Sequence, residues 1–249
     1  MKSTIAIYTS IFGPYDGLVP QKKIPGIEYL CFTNRAFHSK TWKVIPCEDT
    51  EKNPVRTARK HKILAHRYLS DYNISVYMDG NFLVRKDPSA YINQLLKQSP
   101  LAVYDHSSVA TDARDCLYQE LSYLLASNKT SGWSDLEIKI MKDQVERYKR
   151  EGFPGKNGLI ASGVLIRDHH DEKVKDLMES WWQELANGST RDQLSFNYIA
   201  WKKGFQPAYI RENIRDNDYF YMLGKHRADY ASKYLRYKLK SFFGLQRKY

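Results

Sequence analysis

Short runs rich in β-branched and aromatic residues recur along the chain at 4–9, 27–33, 42–45, 74–78, 101–104, 159–166 and 206–210, and each reads as a strand. Between several of them the apolar positions return with a helical period. Asn53-Pro54 is a helix start, with Asn as the N-cap and Pro in the first helical position. From 55 to 69, helical spacing gathers Ala58, Leu64, Ala65, Tyr68 and Leu69 on one face. Arg56, Arg59, Lys60, Lys62, His66 and Arg67 fall on the other. Further helices are predicted over 89–98, 135–151 (Ser134 as cap, Gly152 as stop), 171–186 and 191–203. Strands alternating with helices predict an α/β fold: one domain, with a mostly parallel central sheet covered on both faces. The division predicted is a domain over 1–229 followed by a C-terminal extension over 230–249.

Composition changes this picture little. The 249 residues are 42% hydrophobic and 27% charged, enough for a substantial core. No apolar run reaches the length of a membrane span. The start, MKSTIAIYTS, is too quickly polar for a secretory leader, so a cytoplasmic location is expected. Cys31, Cys47 and Cys116 have no metal-like spacing and read as small buried side chains.

Charge matters more. The net charge is +11, but residues 230–249 hold six basic residues and no acid, which leaves the body at about +5. No specific nucleic-acid partner is therefore expected. In the tail, Ala231, Leu235, Leu239 and Phe242 fall along one helical side among lysines and arginines. Such a helix either lies in an anionic membrane interface, holding the protein peripherally on the inner face of the membrane, or docks its apolar stripe on the domain.

Several constellations carry candidate chemistry. The predicted strand 74–78 ends in Asp79-Gly80-Asn81. Ligands of open α/β sheets sit beyond the carboxyl ends of strands, so this is either a divalent-cation and diphosphate site or an ordinary turn. Arg56, Arg59 and Lys62 read as a diphosphate-neutralising face or as a solvated one. Ser189 and Asp192 have capping-box spacing; alternatively the helix start presents Asp192 and Gln193 to a polar substrate. Ser162-Gly163 allows close approach of a ligand, or marks a bulge. His106 follows a strand end and is a candidate on the acceptor side; His226 lies in a polar stretch further on. The signatures of serine hydrolases, zincins, P-loop proteins and dinucleotide-binding dehydrogenases are absent.

Five segments in order, IYTSIFGPYD at 7–16, YLCFTN at 29–34, NPVRTARKHK at 53–62, YMDGN at 77–81 and RDQLSFN at 191–197, resemble the glycosyltransferase-like domain shared by plant mucilage galacturonosyltransferase relatives and many bacterial proteins. The resemblance spans about residues 4–205. It implies a GT-A-like, Rossmann-like domain that binds a nucleotide-sugar donor, UDP-linked, with a divalent metal (Mn²⁺ or Mg²⁺) at an Asp-x-Asp motif. In this sequence the last position is Asn81, which keeps a carbonyl oxygen and loses a charge. The resemblance places Thr9 and Asp16 near the nucleotide, Arg59 and Lys62 near the diphosphate, and Asp79 and Asn81 at the metal. Asp192 and Gln193 would meet the donor sugar as catalytic residues, with retention of configuration, and His226 would complete the metal shell. A glycan or glycolipid on the way to a surface polysaccharide is the implied acceptor. A non-catalytic nucleotide- or sugar-binding module on the same fold is the competing expectation.

Overall fold

The computed structural model describes residues 5–14, 16–109, 111–127, 132–224 and 230–243. Its strands are β1 (Ile5–Ile11), β2 (Ile27–Thr33), β3 (Trp42–Pro46), β4 (Ile74–Met78), β5 (Phe82–Val84), β6 (Leu101–Asp105), β7 (Ile160–Asp168), β8 (Ala208–Ile210) and β9 (Phe220–Met222). All but β5 and β9 form one sheet in the order β3-β2-β1-β4-β7-β6-β8. The strand β7 is antiparallel to both of its neighbours, and the other pairings are parallel. β1 and β4 are buried along their whole length, as central strands covered on both faces must be. The short β5 and β9 make a separate antiparallel ribbon.

The helices are α1 (Pro54–Ile63), α2 (Ser89–Leu96), α3 (Leu117–Ala126), α4 (Asp135–Arg150), α5 (Glu172–Asn187), α6 (Phe196–Lys202) and α7 (Ala231–Phe242). Strand side chains alternate between two cores. Ala6, Tyr8 and Leu30 face a core with Ile63 of α1, Leu117 of α3, Met141 of α4, Trp181 of α5 and Phe196 of α6. Ile5, Ile7 and Tyr29 face the other, with Ile92 of α2, Phe82 of β5 and Phe220 of β9. Among the described residues, one face is thus covered by five helices, the other by one helix and the ribbon.

The helix after Asn53 begins as expected: Asn53 Oδ1 accepts the Val55 and Arg56 N–H groups at 3.0 and 3.1 Å. It ends at Ile63 instead of running to 69; Leu64 leaves helical dihedrals and a short 3₁₀ turn, Ala65–Arg67, follows. The cause is tertiary. Tyr8 Oη donates to the Lys62 carbonyl at 2.6 Å and Arg167 Nη1 to the Ile63 carbonyl at 3.0 Å, so the sheet supplies the partners that another helical turn would have supplied. This early end corrects the assigned faces: Lys62 is buried, not solvated. The helix over 191–203 is likewise split, into a 3₁₀ turn (Asp192–Leu194) and α6. Ser134 and Glu137 form a full capping box at α4, and Gly152 takes φ 83° just beyond its end.

Arg167 is fully buried under α1, bonded to the Ile63 carbonyl and to Tyr8 Oη. Arg167→Leu takes the donor from the Ile63 carbonyl and leaves Tyr8 Oη with only its bond to the Lys62 carbonyl, and a loss of about 3 kcal/mol is expected in urea unfolding at neutral pH. A loss below about 1 kcal/mol would show that α1 ends there for another reason.

Candidate active site

β1 and β4 run side by side and release their chains at the same edge of the sheet. A cleft of about 390 Å³ opens there. Ser10, Phe12 and Asp16 line it from the β1 side, Asn53, Val55 and Arg59 from α1, and Tyr77 and Asp79 from β4. Trp133 and Glu137 at the start of α4, with Arg191, close the remaining wall. Asp79 is held by its backbone: its N–H donates to the Gly163 carbonyl at 2.9 Å and its carbonyl accepts the Phe82 N–H at 3.1 Å. Gly80 lets the two chain ends meet, because a Cβ there would stand 3.0 Å from Ile11 Cδ1 and 3.3 Å from Asp16 Cβ.

Three charged groups converge behind Asp79. Lys62 Nζ lies 2.6 Å from Asp192 Oδ2, 4.0 Å from Asp79 Oδ1 and 4.9 Å from the centre of the Tyr77 ring. Arg59 Nε is 3.5 Å from the same Asp192 oxygen, to which Ser162 Oγ also donates at 3.0 Å. Tyr77 Oη donates to Asp79 Oδ1 at 2.9 Å. Burial alone would raise the pKa of Asp192, but Arg59 and Lys62 hold its carboxyl well below the usual carboxylate range. Burial, reinforced by Asp79, pushes the Tyr77 phenol well up, so it remains a proton donor to that carboxylate.

The sequence candidates separate into those at this cleft and those away from it. Asp16, Arg59, and Asp79 line it; Lys62, Ser162 and Asp192 stand directly behind. The capping-box reading of Ser189 and Asp192 is corrected, since Asp192 Oδ1 accepts the Gln193 N–H and Oδ2 accepts from Lys62 and Ser162. Gln193 is held at both ends of its amide, Nε2 donating to the Ile160 carbonyl and Oε1 accepting from Arg191. Arg56 is drawn away from the cleft centre: its guanidinium donates to the carbonyls of Leu185, Ala186 and Gly188 at 2.7, 2.7 and 2.9 Å, capping the end of α5. Thr9 is fully buried in β1, and the neighbouring Ser10 faces the cleft in its place.

Gly163 has its close approach, and the neighbour is Asp79: a Cβ there would meet Asp79 Oδ2 at 3.3 Å and Phe82 Cε2 at 3.2 Å. The pairing of β6 with β7 jumps from Leu165 to Ala161, so Gly163 lies in a bulge that turns towards the β4 end. His106 does not line the cleft; it is buried beside Arg114, with Nε2 3.0 Å from Arg114 Nη2, and burial followed by that cation lowers its affinity for a proton. His226 lies outside the described residues.

The reading of the sequence missed Tyr77, hidden inside a strand, and Trp133 and Glu137, which sit far along the chain from the motifs. It also missed Glu120 of α3, fully buried, whose carboxylate accepts from Arg114 at 2.6 Å and from Arg191 at 2.9 Å. Its signal in the sequence was one acid in the mostly apolar run LYQELSYLLA. Glu120 positions Arg191 on the cleft wall.

Among the described residues no cluster of three or more His, Cys, Asp or Glu forms a metal site. A smaller oxygen set is present. Asn81 Nδ2 donates to the Gly224 carbonyl at 2.6 Å, while its Oδ1 is buried with no hydrogen-bond partner among the described residues. The Asp79 carboxylate and the Asn81 amide oxygen are both hard donors of the type Mg²⁺ or Mn²⁺ accepts when phosphate and water complete the shell.

A family model described as TOD1/MUCI70, glycosyltransferase-like domain, matches residues 28–214. No curated protein matches the chain in sequence. Among solved structures, the apo form of mouse xyloside xylosyltransferase 1 aligns over 83% of this chain and 85% of its own, at 10% identity and a TM-score of 0.42.

Replacing Asp192 by Leu leaves Lys62 buried without its nearest anion, and a loss of about 3–5 kcal/mol is expected by urea unfolding at neutral pH. Adding Lys62→Met should recover a large part of it. The folded carboxyl of Asp192 is depressed, so its stabilisation is complete above the unfolded value of about 3.9 and is lost as the pH falls through the folded value. Asp192→Asn should therefore flatten the fall in stability below about pH 4; an unchanged acid limb would contradict the pairing.

Proposed function

The chain belongs to the TOD1/MUCI70 glycosyltransferase-like domain family, and from that premise we propose that it transfers a sugar from a nucleoside-diphosphate donor, UDP-linked, to a glycan or glycolipid acceptor. The observation that carries this reading is that Arg59 and Asp79 line a cleft at the carboxyl edge of parallel strands, with Lys62 4.0 Å behind Asp79.

Glycosyl transfer builds positive charge on the sugar ring while negative charge grows on the departing diphosphate. Arg59, at the cleft surface, offers a guanidinium to the phosphate oxygens; Lys62, just behind it, adds a fixed positive charge. Asp192 acts through these two, holding both cations where the leaving group gathers charge, and Ser162 fixes the carboxylate that does so. Tyr77 orients the Asp79 carboxylate. Asp79 and Asn81 would hold a divalent cation, which when bound supplies further positive charge to the diphosphate. Gln193, an amide bonded at both ends, leaves no free carboxylate at the position after Asp192, and we read transfer as retaining on that ground. The second reading, a nucleotide-binding module without transfer, is favoured by one observation: both Asp192 oxygens are engaged within the protein.

The test is a melting screen of UDP-, GDP-, CMP- and dTDP-sugars with and without Mn²⁺, followed by product analysis for the nucleotide that binds. A donor at a hundred times its Kd adds about 2.7 kcal/mol, a plain shift in melting. Arg59→Ala should weaken donor binding roughly 10- to 100-fold, and Asp79→Ala should abolish any Mn²⁺-dependent part of it. No shift with any nucleotide would overturn the donor reading. Tight binding without hydrolysis or transfer would move the assignment to the binding module.

A further inference from the structure

α7 carries two apolar edges and docks only one. Tyr230, just before the helix, and Tyr234 and Tyr237 within it pack half-buried against Val19, Leu83 and Leu223, with the Tyr237 ring 4.8 Å from that of Tyr221. The ribbon of β5 and β9 forms this seat. Leu235, Leu239, Phe242 and Phe243 stay out in solvent, at 58, 51, 83 and 65% exposure. At helical spacing the mean direction of this second stripe lies about 160° around the helix from the tyrosines, so the docked edge cannot cover it. The sequence left open whether the stripe containing Leu235, Leu239 and Phe242 docks on the domain; in the structure the tyrosine edge docks instead.

The surroundings of the stripe identify what fits it. Lys238 flanks it on one side and Arg236 on the other, and Lys233 and Lys240 add to the same helix. No acid occurs anywhere in 230–249. A second copy of this helix would set like charges against like, so self-pairing is opposed. An anionic bilayer answers both features, taking leucine and phenylalanine side chains into the acyl boundary while its headgroups meet the lysines and arginines. No helix among the described residues is long and apolar enough to cross a membrane, which leaves interfacial seating as the geometry for this one.

We propose that the solvent-facing side of α7, centred on Leu235, Leu239, Phe242 and Phe243, is a docking surface for an anionic lipid bilayer. Leu83 on the seat lies four residues beyond Asp79 in the chain, and Asn81 is bonded to Gly224 just after Leu223. The helix thereby shares its support with the Asp79 turn, and lipid seating would bring the cleft to a surface where amphiphilic acceptors reside. The lipid surface itself does not depend on the donor reading.

The experiment is co-sedimentation of the full chain with phosphatidylcholine vesicles, with and without a phosphatidylglycerol fraction, at low and high salt. Binding is expected only with phosphatidylglycerol, and should weaken as salt screens the lysines and arginines. Phe242→Ser/Phe243→Ser and, separately, Lys238→Glu/Lys240→Glu should each lower partitioning roughly tenfold or more, with melting temperature unchanged because these side chains are exposed. Absence of binding to phosphatidylglycerol vesicles, or binding that survives both double substitutions, would overturn the proposal. So would a concentration-dependent dimer of the wild type that Phe242→Ser/Phe243→Ser dissolves, since a second copy would then own the surface.

Discussion

The contact between Lys62 and Asp192 joins parts of the chain that are 130 residues apart, and both side chains are almost wholly buried. An isolated charge at either place would cost several kcal/mol, so neither the end of α1 nor the turn before α6 is stable in its position alone. Pairing makes each the condition of the other. Once Lys62 is fixed, its ammonium also faces Asp79 and the Tyr77 ring, which ties the end of β4 to the same point. The site is therefore a by-product of how the sheet and the α1 layer are locked together. Tyr8 and Arg167 secure the same corner from beneath by taking the last carbonyls of α1.

What the sequence revealed follows from the range of the forces involved. β1, β2 and β4 were legible because buried parallel strands need unbroken apolar runs, a local property. The start of α1 was legible because Asn53 caps it from within one turn. Its end was not, because Tyr8 and Arg167 act from far along the chain. β5 and β9, with three residues each, carry too short a pattern to stand out. In α3, the buried Glu120 interrupts the apolar run for the sake of Arg114 and Arg191, and local pattern reads that acid as a surface position.

The candidate site divides in the same way. Asp79 could be placed from its position at a strand end, and Arg59 and Lys62 from their motif. Spacing alone left Lys62 open between a diphosphate-facing and a solvated position, because its buried partner Asp192 lies 130 residues away. Arg56 failed for a comparable reason: its partners are the carbonyls ending α5, which no spacing around residue 56 can announce. Distant partners decide the chemistry of a charged side chain, while nearby residues decide only its helix or strand.

The pairing of charges also bears on how a donor would be held. Arg59 and Lys62 face Asp192 and Asp79, and Arg114 and Arg191 face Glu120, so in this cluster each cation already has a carboxylate. A doubly anionic diphosphate entering such a balanced cluster would add uncompensated negative charge, which a cleft largely walled by protein tolerates poorly. Two remedies exist: an existing pair loosens to release a cation, or the donor arrives with a divalent cation of its own. Lys62 is held by Asp192 at 2.6 Å inside the protein, whereas Arg59 is longer from it, at 3.5 Å, and reaches the cleft. Arg59 is accordingly the cation at the cleft surface that would meet phosphate, and Lys62 the one that keeps the frame. Asn81, an amide where the Asp-x-Asp motif implied by the resemblance would have a second carboxylate, lightens the negative charge by one and makes the balance easier to meet. An amide at position 81 would hold a cation less strongly than a carboxylate and, by the same loss of charge, would lessen the need for one.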